Sequence, residues 1–193
     1  MVQCPRCGFS LERVEAYFGV MPRLQPGISD LAALLRPRDY ARLNAATDQV
    51  CERFPQLHWS IVTTRLRADQ PLGAYAFWIL NRGGVCRDLA RGAKSRDFLL
   101  TVDAENGRAN LMIGYGLEPF VGVEHLQTMV DAGGAAFAEE KWVEGMVAIV
   151  DKAAEVLADI WQRLGQTYGL DMDAVREAED EELAAKKSVE GAY

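Results

Sequence analysis

Apolar residues recur along the chain with two different periods. Tyr40, Leu43, Val50 and Phe54 share one helical face, with Pro37 suited to a first turn and Pro55 closing the segment. Leu57–Leu66 carries Ile61, Val62, Thr63 and Thr64, a β-rich run. Pro71 opens a second helix through Tyr75, Phe77, Trp78 and Leu80, which Gly83-Gly84 closes. Asp97-Phe-Leu-Leu-Thr-Val-Asp103 reads as a buried strand, Asn106-Gly107 as a turn, and Arg108–Ile113 as a second strand, predicting a β-hairpin. A helix over about Val123–Ala132 is expected to break at Gly133-Gly134. A long helix from about Glu140 to Gln166 follows, with Trp142, Met146, Ile149, Ala153, Val156, Ile160 and Leu164 on one stripe read as core packing.

Helices interleaved with strands, plus one sequential hairpin, predict an α/β class: a small mixed sheet covered by helices. The organisation expected is a Cys-x-x-Cys knuckle with an irregular lead-in over 1–27, a main domain over 28–168, and an acidic tail over 169–193. No internal repeat is visible.

The chain has 193 residues, 49% apolar and 25% charged, enough for one domain with a sizeable core. Its net charge of −7 is uneven: the stretch from Asp171 to Tyr193 holds eight acidic and three basic residues, leaving a nearly neutral body. That balance argues against a nucleic-acid partner, which calls for a basic face. No apolar stretch approaches the roughly 20 residues of a membrane span, and Met1–Phe9 lacks the pattern of a signal peptide. The expected location is therefore cytoplasmic.

Cys4-Pro-Arg-Cys7-Gly8 has the form of one half of a zinc ribbon, the glycine permitting the turn that aims two thiolates at one ion. A closed structural site needs four ligands, and no second Cys-x-x-Cys exists. Either a second copy of the chain completes the site, making a homodimer, or Cys51 and Cys86 fold back onto it, or the knuckle is degenerate and holds no metal. His58 and His125 read as surface or half-buried residues rather than ligands.

Hairpin geometry places Asp103 beside Arg108 and Asp97 beside Gly114 at the open end. Leu117 and Glu118 continue from that end, so Asp97 and Glu118 are expected to approach each other. Gly114 and Gly116 would let backbone come close. The bland reading treats Asp97 as paired with a basic neighbour, Glu118 as a solvated acid and Asp30 as a cap.

Three segments resemble the TPM domain, a family named for thylakoid, photosystem-repair and receptor-accessory proteins. Ser29-Asp30-Leu-Ala-Ala-Leu-Leu35 resembles its opening segment, and Ala74-Tyr-Ala-Phe-Trp-Ile-Leu-Asn-Arg82 its second helix. Arg96–Asp103, Gly107-Arg108-Ala-Asn-Leu and Gly114-Tyr-Gly-Leu-Glu-Pro119 resemble its most specific stretch, which ends in Gly-Tyr-Gly-Leu-Glu. Gly145, in Trp-Val-Glu-Gly-Met-Val, resembles its closing helix start. The resemblance implies an α/β/α sandwich and, from some members, a site for Ca²⁺ or Mg²⁺, hard cations that prefer oxygen ligands. It brings Asp30 to Asp97 and Glu118 as a third carboxylate. Many members carry an Asp shortly after Gly-Leu-Glu; here the first acid after Glu118 is Glu124.

The function these features suggest is a binding or assembly module with a protein partner. The rival is a weak, acid-phosphatase-like phosphate-monoester hydrolase. It would use the acidic cluster together with the basic residues Arg82, Arg87, Arg91, Lys94 and Arg96. No P-loop, Cys-x5-Arg or metallophosphatase His/Asp set supports it.

Overall fold

The computed structural model describes residues 10–83 and 93–169. Its elements, in chain order, are α1 (Leu11–Phe18), β1 (Ile28–Asp30), α2 (Pro37–Arg53), β2 (His58–Thr64), α3 (Leu72–Arg82), a 3-10 turn (Ala93–Arg96), β3 (Asp97–Asp103), β4 (Arg108–Ile113), α4 (Val123–Ala138) and α5 (Trp142–Tyr168). The fold class is α/β, as expected.

The four strands lie in the order β1-β2-β3-β4, with β1, β2 and β3 parallel and β4 antiparallel to β3. All seven residues of β3 are buried, as befits a central strand covered on both faces. Strand alternation divides the sheet. Ser60, Val62 and Thr64 share one face with Asp97, Leu99, Thr101 and Asp103, and with Arg108, Asn110 and Met112. Helices α1 and α3 cover it, through Val14, Tyr75, Ala76, Trp78 and Ile79 packed on Val62 and Leu99. The other face presents Ile61, Phe98, Leu100 and Val102, all fully buried, so it too is covered. Helix α2 packs against β2 and α4 against β4, and the buried apolar residues of the remaining helices include Leu43 and Val50 of α2, Met129 of α4, and Met146, Ile149 and Val150 of α5. This is an α/β/α sandwich around a mixed sheet.

Two expectations on local structure are corrected. The lead-in is not irregular throughout. Ser10 caps α1 by accepting the Arg13 N–H, Gly19 ends it at φ +89°, and Phe18 stacks on Trp78 at 5.6 Å. Helix α1 is part of the core, with Val14 buried in it and Phe18 packed against it. The second correction concerns Gly133-Gly134, which does not break α4. A Cβ at Gly133 would lie 2.8 Å from the Gly145 carbonyl and 2.9 Å from Ile149, and one at Gly145 would lie 2.4 Å from the Phe137 ring. These glycines let α4 and α5 approach closely, a packing role that resembles a breaker signal in sequence.

By compactness the chain falls into two units, Met1–Ala153 and Ala154–Tyr193, with the boundary inside α5. The first unit holds the sandwich. Of the second, the described part is the distal portion of α5, where Val156, Ile160 and Leu164 are half-buried. The acidic tail beyond Gly169 lies outside the described residues, as do Cys4, Cys7 and Cys86.

Candidate functional site

Where β3 begins and β4 ends, the chain folds into a tight, well-bonded corner. The Gly114 N–H donates to the Asp97 carbonyl at 2.9 Å, so Asp97 and Gly114 do meet at the open end of the hairpin. The Gly116 N–H donates to the Ser95 carbonyl at 2.9 Å, and a Cβ at position 116 would stand 2.8 Å from that same oxygen. Only glycine fits there. Leu117 then turns back, its N–H on the Gly114 carbonyl at 2.9 Å. The expectation that Gly116 permits a close backbone approach is met in this geometry.

Beside this corner lies an open cavity of about 330 Å³. Phe77, Leu80 and Asn81 of α3 form one wall, Met112 and Ile113 of β4 another, and Ser95, Gly114, Tyr115 and Glu118 its rim. Helical spacing explains the first wall: positions 77, 80 and 81 share one face of α3. Tyr115 is 68% exposed at the mouth, and Glu118 is also exposed. An apolar interior with a few polar groups at the rim is the usual make-up of a ligand site, and the volume falls in the usual range.

The three expected carboxylates do not assemble. Asp30 aligns with Thr63, which aligns with Val102 near the far end of β3, whereas Asp97 aligns with His58 at its start. Five strand residues, about 17 Å, separate the two levels. Asp30 is engaged locally: its carboxylate accepts the Leu34 N–H at 3.0 Å, the Leu35 N–H at 2.8 Å and the Thr63 hydroxyl. It fixes the turn between β1 and α2 rather than capping a helix: the N-cap position of α2 is Arg36, whose N–H is taken by Asp39. Asp97 is fully buried and accepts the Ser60 hydroxyl at 3.1 Å. Among the described residues, no three His, Cys, Asp or Glu side chains stand close enough to hold a metal ion. The sheet register thus sets Asp30 apart from Asp97, and the three carboxylates expected to hold Ca²⁺ or Mg²⁺ are not brought together.

Of the basic set of the hydrolase reading, the structure describes the Arg82 and Arg96 side chains. Arg82 is tied to Glu15 at 3.0 Å, Arg96 is exposed, and Arg87, Arg91 and the Lys94 side chain lie outside the described residues. Cys51 is half-buried, and with Asp48, His58 and Trp59 it lines a separate cavity of about 180 Å³ at the start of β2. His125 accepts the Gly122 N–H on Nδ1 at 3.1 Å and so caps α4.

At the opposite end of the hairpin, Asp103 anchors a dense polar network that sequence pairing only hinted at. Its fully buried carboxylate accepts the Leu66 N–H at 3.0 Å, the Asn106 amide at 2.8 Å and the Arg108 guanidinium at 2.7 Å. Burial alone would raise its pKa. The Leu66 N–H, Arg108 and Asn106 outweigh burial and hold it below the ordinary carboxylate value.

No family model matches the chain, and no curated protein matches it. Solved structures do. The chain shares its fold with bacterial domains. The N-terminal domain of the cg2496 protein of Corynebacterium glutamicum is 14% identical with a TM-score of 0.52, over 68% of this chain and 79% of that one. The N-terminal domain of a protein from P. gingivalis is 21% identical with a TM-score of 0.55, over 67% and 80%. The BA42 protein of the psychrophile Bizionia argentinensis is 14% identical with a TM-score of 0.56, over 67% and 86%. At such identities the likeness speaks for the fold alone. No helix among the described residues is long and apolar enough to cross a membrane.

Proposed function

We propose that the chain is a TPM-type domain acting as a binding module, with the cavity beside Gly114–Glu118 as its binding site. The Gly-Tyr-Gly-Leu-Glu sequence and the fold shared with the three bacterial domains support the family reading. The binding role rests on one observation: the open, largely apolar cavity of about 330 Å³, built by the residues of that same motif and the facing side of α3. Tyr115, Phe120 and Val123 extend an exposed apolar surface from it along the loop into α4, a feature of interaction sites.

The site as built favours binding over turnover. Among the described residues it gathers no paired acid and base and no set of metal ligands, and Glu118 is the one carboxylate of its lining. The test is selection of binding peptides from a random display library against the whole chain. Tyr115→Ala, an exposed position whose loss spares the core, is expected to weaken the selected peptides about tenfold, in the range of an interface aromatic. Leu31→Ala, exposed at the other end of the sheet, is expected to leave them unchanged. Equal effects of the two substitutions would refute the assignment.

A further inference from the structure

We infer that the occupant of this cavity is a basic side chain, arginine ahead of lysine, presented by a partner protein. The inference rests on the cavity being the binding site and goes on to name its ligand chemistry.

Three features of the cavity converge on that chemistry. Its walls hold Phe77, Leu80 and Met112, apolar surface on which the methylene stem of a long cationic side chain can lie. Its mouth carries Tyr115, 68% exposed, an aromatic face suited to a cation and above all to a planar guanidinium. Its rim carries the Glu118 carboxylate, exposed and, among the described residues, without a hydrogen bond or ion pair. Asn81 and Ser95 add a side-chain amide and a hydroxyl.

The surroundings favour the same ligand. Arg82, next to Asn81 on α3, is held away by Glu15 at 3.0 Å and so does not neutralise Glu118. A purely apolar side chain would cover the walls but take water from Glu118 without replacing it, at a desolvation cost. The occupant is assigned to a protein rather than to a free amine because the apolar surface continues past the cavity. Phe120 is 47% exposed and Val123 80% exposed on the loop leading away, more than a single small molecule covers.

The test is a ¹H–¹⁵N titration of the whole chain, at low ionic strength, with the N-acetyl N-methylamides of arginine, leucine and glutamate. The arginine compound is expected to move the amide resonances of Asn81, Ser95 and Gly114–Glu118 to saturation. It should bind about fivefold more tightly than the leucine compound, a ratio fitting one partly exposed ion pair. The glutamate compound should not bind. Glu118→Gln is expected to bring the arginine compound down to the level of the leucine compound. If leucine binds the same resonances as tightly as arginine, and Glu118→Gln changes nothing, the basic-ligand inference fails while the cavity remains the binding site. If none of the three moves those resonances, the inference and the site it rests on both fail.

Discussion

Gly116 and Ser95 touch through backbone alone, the Gly116 N–H on the Ser95 carbonyl at 2.9 Å with no space for a Cβ between them. This contact holds the rim of the cavity to the start of β3. Its consequence is direct: Gly116→Ala forces backbone apart. A loss of about 1–3 kcal/mol of stability is expected, as for other overpacking changes. Chemical denaturation of the variant measures it, and the selected peptides should bind less tightly because the rim moves. A variant as stable as the parent would mean that the corner is looser than described.

The two adjacent glycines of α4 make opposite predictions. Gly133 abuts the Gly145 carbonyl and Ile149, whereas a Cβ at Gly134 meets nothing within 4 Å. Gly134→Ala should stabilise the protein by about 0.5–1 kcal/mol, through helix propensity and a less flexible unfolded chain. Gly133→Ala should destabilise it by about 1–3 kcal/mol. Urea midpoints of the pair decide, and the same sign for both would contradict the packing.

How much of this was legible in the sequence depends on the scale of the signal. The hairpin was readable because Asn106-Gly107 and two flanking apolar runs are local, and its register brought Asp103 to Arg108 and Asp97 to Gly114 as alternation requires. The three-residue β1 was not, since its pairing with Ile61–Thr63 is formed across α2 and leaves no periodic trace. Gly133-Gly134 misled because a sequence does not distinguish a glycine that ends a helix from one that admits a neighbouring helix. Asp30 was grouped with Asp97 by family resemblance alone, and the parallel register of β1, β2 and β3 sets the two at opposite ends. Glu118 and the Gly-Tyr-Gly turn stood together in the sequence reading, and Gly114, Tyr115 and Glu118 line one cavity. The walls from Phe77, Leu80 and Met112 were missed, since each reads as ordinary core in its own element.

Asp103 makes stability depend on pH. Its folded-state pKa lies below the ordinary value, so it adds stability that is fully present above the unfolded carboxylate pKa of about 4. That contribution is lost as pH falls through the folded-state value. Asp103→Asn should lower stability at neutral pH by about 2–4 kcal/mol, since Arg108 and the Leu66 N–H lose a charged partner. It should also flatten the decline of stability between about pH 5 and pH 2. Denaturation midpoints across that range check both, and an unchanged acid slope would remove Asp103 as its source.

The placement of Asp30 has a consequence for ions. Its carboxylate holds the 31–35 turn through two backbone N–H groups and Thr63, far from Asp97. Asp30→Ala is therefore expected to cost about 1–3 kcal/mol, since it leaves two backbone N–H groups and the Thr63 hydroxyl without their acceptor. That cost should be the same in Ca²⁺, Mg²⁺ or a chelator. Thermal unfolding in the three conditions tests this, and stabilisation by either ion that Asp30→Ala abolishes would restore the three-carboxylate site.

The central claim is a location, and the most direct measurement of it is chemical-shift mapping of a display-selected peptide on the ¹⁵N-labelled whole chain. The account predicts that perturbed amides cluster at Asn81, Ser95, Met112 and Gly114–Glu118, while those around Asp30 and Thr63 and around the Cys51–His58 cavity stay still. Perturbations centred on either of those two regions, with the Gly114–Glu118 corner silent, would contradict it.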